Sequence, residues 1–111
     1  MKTNKIKYHK GLTQERWNRF TFIEQMANIG SEVFRFLKWK KKDKKDAELA
    51  FDRALELLDL TLSDPENKKY SKEIARVREL LVDYTYDNEY QTTDKFLENY
   101  FYSFNYAARN L

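Results

Sequence analysis

Six lysines fall within eight consecutive residues of this chain: Lys38, Lys40, Lys41, Lys42, Lys44 and Lys45, interrupted only by Trp39 and Asp43. Ammonium groups at this density suit a polyanion. Each one that meets a phosphate releases condensed counterions, so binding of this kind is sensitive to salt and indifferent to sequence. Arginine, which reads guanine through two parallel hydrogen bonds, is missing from the run, so base reading is not suggested there. A plainer account also exists. Cations favour the C-terminal end of a helix, and lysines keep a loop in water. Six at one corner exceed what capping requires.

A second set is Lys95, Tyr102, Tyr106 and Arg109. At about 100° per residue the two tyrosines lie one turn apart, opposite the apolar face of their helix, with the basic residues flanking them. Tyrosines interleaved with basic residues can stack on bases and hold phosphates. They are equally what the buried centre of a protein interface uses. The expectation for this set is an interface, with a second copy or with a partner protein.

Other chemistries lack their residues. The chain has no cysteine, and its one histidine, His9, lies near the N-terminus. Ser-His-Asp and Cys-His nucleophiles are therefore unlikely assignments, and thiolate zinc sites are excluded. A carboxylate di-metal centre needs Glu-x-x-His pairs on facing helices, and there are none. The Arg-to-His spacing of helical ribonucleases is absent too. Two glycines, Gly11 and Gly30, make no phosphate loop. The carboxylate pairs Asp52/Glu56 and Asp83/Asp87 read as solvation of exposed faces. The expectation is a protein that is not an enzyme, with no catalytic residue, no metal and no cofactor.

The elements that must position the two basic sets are helices. In 111 residues, 35% are charged and 41% hydrophobic, with two Gly and one Pro. That composition favours helices with short connections in one domain. No run of ~18 apolar residues and no apolar signal core is present, which points to a soluble, cytoplasmic protein without a membrane role. Charge is divided unevenly. Residues 1–45 carry 13 Lys+Arg against 4 Asp+Glu, a balance of +9; residues 46–111 carry 8 against 14, a balance of −6. The basic half can bind a polyanion or the chain's own acidic half.

Residues 1–11, with Lys2, Lys5, Lys7, Lys10 and His9, read as a basic arm, free or lying on the domain formed by residues 12–111. Thr13 is placed to cap a long first helix over residues 13–41. Its apolar residues from Phe20 to Leu37 cover an arc of about 200°, against ~100° for an ordinary surface helix. Such an arc calls for neighbours on two or three sides, or for a second copy of the chain. Trp17 and Trp39 fall towards its polar side. Asp43 or Asp46 caps a second helix to about Ser63, with Ala47, Ala50 and Ala54 allowing close approach and Glu48, Asp52, Glu56 and Asp59 as an acidic stripe. A third helix runs from Ser71 to about Tyr86. Arg78 falls in its core face and needs a carboxylate, with Glu24, Glu32 and Asp59 as candidates. Thr93 caps a fourth helix whose core face holds Phe96, Leu97, Tyr100, Phe101, Phe104, Ala107, Ala108 and Leu111. The expected fold is all-α, an antiparallel up-down four-helix bundle.

The runs Gly11-Leu12-Thr13-Gln14-Glu15-Arg16-Trp17, Glu24-Gln25-Met26-Ala27-Asn28-Ile29-Gly30-Ser31-Glu32 and Arg53-Ala54-Leu55-Glu56-Leu57-Leu58-Asp59-Leu60-Thr61, with Asp83-Tyr84 and Asp87-Asn88-Glu89-Tyr90, resemble a family of small uncharacterised prokaryotic helical proteins. No functional residues carry over from it. In architecture the chain is similar to four-helix proteins of the ribosomal intervening-sequence type and to accessory proteins of diversity-generating retroelements. That resemblance implies a basic, homo-oligomeric bundle that binds RNA or DNA. The chain departs from it in being acidic beyond residue 46. The polar set Glu24, Asn28, Ser31, Glu32, Arg53 and Asp59 within these runs reads either as an internal hydrogen-bond network or as a pocket.

Overall fold

The long first helix expected over residues 13–41 is two helices. In the computed structural model, which describes residues 6–110, Thr13 opens α1 (Gln14–Trp17), its hydroxyl accepting from the Arg16 N–H. The chain then turns through Asn18, Arg19 and Phe20 and restarts as α2 (Phe22–Trp39). The restart is a reciprocal cap. Thr21 Oγ1 accepts from the Glu24 N–H at 3.1 Å, and the Glu24 carboxylate accepts from the Thr21 N–H at 2.9 Å. Two of the donors that a helix start leaves unpaired are thereby satisfied, so a new start costs little.

The break moves Trp17 from the polar side of a continuous helix into the core. It is buried, and its indole N–H donates to Thr61 Oγ1 at 3.0 Å. Thr61 lies on α3 (Lys44–Leu62), which Asp43, not Asp46, caps through the Lys45 and Asp46 N–H groups. Asp64 caps a short 3-10 helix (Pro65–Tyr70). It leads directly into α4 (Ser71–Thr85). Thr93 caps α5 (Asp94–Arg109), accepting from the Phe96 N–H. Among the described residues there is no strand.

α2 is the central rod. It packs along its length against both α3 and α5, while α4 packs on α3. Gly30 sets the distance to α5: a Cβ at this position would come within 2.9 Å of Phe101 Cβ. Ala47, Ala50 and Ala54 are buried where α3 approaches α2. Every apolar residue of α2 from Phe22 to Leu37 is buried or half-buried within the single chain. Phe20, in the turn, is exposed. So is Phe96, at 52%, although its spacing assigns it to the core face of α5.

A buried polar cluster locks the α1–α2 junction to the far end of α3. The Gln25 side chain is wholly buried; its Nε2 donates to the Trp17 carbonyl at 3.0 Å and to Asp64 at 2.9 Å. Asn67 Nδ2 donates to Gln25 Oε1 at 2.7 Å and to the Thr61 carbonyl at 3.0 Å. Burial of these groups is tolerable because they are paired; among the described residues no buried side-chain nitrogen or oxygen lacks a partner.

The described part of the arm lies on α3. Its Lys2 and Lys5, and Leu111 of the expected α5 core face, lie outside the described residues. Among the described residues no helix is long and apolar enough to cross a membrane.

Candidate functional site

Five of the six lysines in the run are exposed on the turn from α2 to α3. Lys38 is in the last turn of α2, Lys41 and Lys42 are in the connection, and Lys44 and Lys45 open α3. Lys42 Nζ sits 5.9 Å from the centre of the Trp39 ring. The positions of Lys44 and Lys45 matter for the plainer account. The N-terminal end of a helix is its positive pole, so cations there oppose the dipole and capping gives no reason for them.

Lys40 stands apart. Its ammonium points inward, donating to Asp94 at 2.7 Å and to the Tyr84 hydroxyl. Tyr84 in turn donates to Asp94. Burial works against the Lys40 charge, but the bonds to Asp94 and Tyr84 outweigh it and hold the ammonium above its ordinary pKa. Burial likewise pushes Asp94 up, and the Lys40 and Tyr84 bonds with the charge of Lys41 bring it net below the usual carboxylate range. The Tyr84 hydroxyl is raised by burial and by Asp94. Of the six lysines, Lys40 alone forms an ion pair among the described residues, and its charge is matched within the fold.

Beside this corner opens a cleft of about 770 Å³. Phe36 and Lys40 of α2, Lys44, Glu48, Phe51 and Asp52 of α3, and Tyr84 and Tyr86 from the end of α4 line it. Tyr86 is 72% exposed, and its ring meets buried Phe51 edge-on at 6.0 Å. The wall that carries Tyr86 is held by its own loop. Asp83 accepts from the Glu89 and Tyr90 N–H groups, and the Asn88 side chain bonds both the N–H and the carbonyl of Thr92. Asn88 and Gln91 adopt positive φ of 47° and 54° to make this turn.

The α5 set is assembled on one exposed strip. Lys95, Tyr102, Tyr106 and Arg109 are all exposed, with Tyr102 at 57% and Tyr106 at 62%. The strip is separate from the lysine turn in sequence and shares no cleft with it.

The polar set of the motif runs is divided among separate hydrogen bonds. Glu24 and Asn28 serve the first turns of α2, Asn28 donating to the Glu24 carbonyl at 2.9 Å; Ser31 donates to the Ala27 carbonyl. Asp59 is the partner of Arg78, taking Nε at 2.7 Å. Glu32, almost fully buried, accepts from Arg53 at 2.9 Å and from Arg35, and lies 3.3 Å from His9 Nε2. His9 Nδ1 is 2.9 Å from Glu56.

Glu56 is the latch for the arm. Its carboxylate accepts from the backbone N–H groups of Lys7, Tyr8 and His9 at 2.6, 3.0 and 2.9 Å. Burial raises the Glu56 pKa, but these bonds outweigh it and the net shift is downward. Asp52 accepts from the Tyr8 hydroxyl at 3.3 Å. The carboxylate pairs read as solvation thus have defined work: Asp52 and Glu56 hold the arm, and Asp83 holds the loop. Nothing in their i,i+4 spacing signals this, because every partner except the Asp83 loop is more than forty residues away.

Among the described residues no group of three or more His, Asp or Glu side chains is arranged to hold a metal ion. Compared with family models, with curated proteins and with solved structures, the chain matches none.

Proposed function

We propose that this chain is a non-enzymatic helical binding module that contacts the phosphates of RNA or DNA through its basic corner, without reading sequence. The observation that carries this reading is the exposure of Lys38, Lys41, Lys42, Lys44 and Lys45 on one helix-to-helix turn. Two of them oppose the dipole of α3, so helix stability does not account for them. We read the four long helices as an antiparallel up-down bundle, which puts the lysine turn at one end, and the protein as cytoplasmic.

Filter binding of an oligonucleotide at rising salt tests the proposal. Affinity is expected to fall with a log–log slope of roughly 0.7 for each phosphate neutralised on a single strand. Binding that is absent at low salt, or unaltered by Lys41→Glu with Lys42→Glu, overturns it.

The α5 strip favours a second reading, a protein-interaction module with no nucleic-acid role. Tyr102, Tyr106 and Phe96 are large aromatic side chains left more than half in water on one helix, and aromatics with arginine are typical of interface centres. An interface at the strip does not itself exclude a phosphate contact at the corner; the second reading applies where the corner binds no nucleic acid.

A further inference from the structure

We propose that the cleft beside the lysine turn receives an unpaired nucleobase, so that the module prefers single-stranded to duplex nucleic acid. This rests on the reading of the lysine turn as a phosphate contact, and it names the class of strand that the turn holds.

The cleft and the turn share a residue. Lys44 belongs to the lysine run and also lines the cleft, so a phosphate held at the turn delivers its neighbouring base to the cleft mouth. A volume of about 770 Å³ is ample for a base with its sugar, within the ~300–1,000 Å³ of ordinary small-molecule sites. One wall is Tyr86. Its edge-on contact with Phe51 fixes the ring while most of it stays in water, and the bonds from Asp83 and Asn88 stiffen the loop behind it. A tyrosine presented in this way is a stacking platform, and stacking tolerates any base because every base has a π-face.

The lining from α3 carries the carboxylates of Glu48 and of Asp52, the latter also accepting from the Tyr8 hydroxyl. They repel phosphate, which keeps the backbone at the lysines outside, and they accept hydrogen bonds from the amino groups of cytosine, adenine or guanine. Lys40 adds no free cation to the cleft, since Asp94 matches its charge. A duplex keeps its bases stacked and paired and cannot place one in such a cleft, whereas an unpaired strand can splay one out.

Fluorescence anisotropy with a labelled twelve-nucleotide oligo(dC), single-stranded or annealed to oligo(dG), tests this at one fixed salt concentration. The variants are Tyr86→Ala, Tyr86→Phe and Lys41→Glu/Lys42→Glu. The wild type is expected to bind the single strand on the order of tenfold more tightly than the duplex, the size of one base stack. Tyr86→Ala should remove that preference and leave duplex binding unchanged, Tyr86→Phe should keep it, and the lysine variant should weaken both. Equal affinity for the two forms, or a Tyr86→Ala protein that retains the preference, overturns the cleft proposal while lysine-dependent binding leaves the phosphate reading standing. Failure of both forms to bind overturns both.

Discussion

Lys40 Nζ lies 2.7 Å from Asp94 Oδ1, and this ion pair ties the end of α2 to the first turn of α5. Lys40 therefore differs in kind from the five lysines around it. Removing it, as Lys40→Met, should leave the salt dependence of nucleic-acid binding nearly unchanged and lower stability instead. Both side chains are partly in water, so the cost is modest, about 1 kcal/mol or less. A melting temperature lower by a few degrees is the expected readout. Lys41→Met should do the reverse, reducing the salt slope with little change in melting. A drop in slope on removing Lys40 as large as on removing Lys41 counts against the distinction.

The same pair fixes a pH window. Asp94 is held below its ordinary value of 3.8, so its contribution is present above that value and is lost as pH falls through the lowered one. Lys40 is held above its ordinary 10.5, so its contribution is present below that value and is lost as pH rises through the raised one. Between these limits the bridge is intact. The stability lost by Lys40→Met should accordingly be constant from pH 5 to pH 9, as urea titrations at several pH values would reveal. A loss that changes by half across that interval is inconsistent with this assignment.

Gly30→Ala tests the close approach of α2 and α5. Alanine gains about 1 kcal/mol over glycine in a helix interior. Here its methyl must displace Phe101 at the Cβ, which cannot move without its backbone. Overpacking of this kind costs about 1–3 kcal/mol. The net expectation is destabilisation by up to about 2 kcal/mol in chemical denaturation, and a stabilised variant would show that the helices are freer to separate.

The arm provides a fourth prediction. Glu56→Gln leaves one carbonyl oxygen where two charged oxygens served the N–H groups of Lys7, Tyr8 and His9. Hydrogen bonds to a charged acceptor are worth about 1.5–3 kcal/mol each when removed, and a loss of about 1–3 kcal/mol is expected. In the wild type the Glu56 pKa lies below its ordinary 4.5. Its contribution is complete above that value and fades as pH falls through the lowered one. Protection of the amides of residues 7–9, relative to the intrinsic exchange rate at each pH, should therefore be reduced in the variant at neutral pH and in the wild type only in acid. Equal protection in the two proteins at pH 7 would mean that Glu56 does not hold the arm.

Local signals were readable in the sequence and tertiary ones were not. Thr13, Asp43 and Thr93 are caps by residue type and position, and all three accept the expected N–H groups. The break before α2 was also written, as Thr21-Phe22-Ile23-Glu24. Phe20, Phe22 and Ile23 continue the apolar arc across the break, and periodicity alone cannot see a turn that keeps the same phase. The same turn carries Trp17 into the core. Gln25 gave no sign of its complete burial, because its partner Asn67 is 42 residues away. For Arg78 the sequence offered three carboxylates, and only the register of α4 against α3 selects Asp59. The cleft is non-local in the same sense, since Tyr86 and Phe51 meet through packing.

The strip on α5 gives the final prediction. The surface proposed for a second copy is the strip of Tyr102 and Tyr106 with their basic neighbours Lys95 and Arg109, all exposed. If this strip joins two copies, light scattering of the wild type should give at least twice the chain mass of 13.5 kDa. Tyr102→Ala with Tyr106→Ala should return it to one, while leaving helix content unchanged, since both rings are mostly in water. The self-association should survive high salt, because burying tyrosine rings draws on apolar area that salt does not screen. A wild type that is monomeric at high concentration removes the homo-oligomer from the uses proposed for the strip.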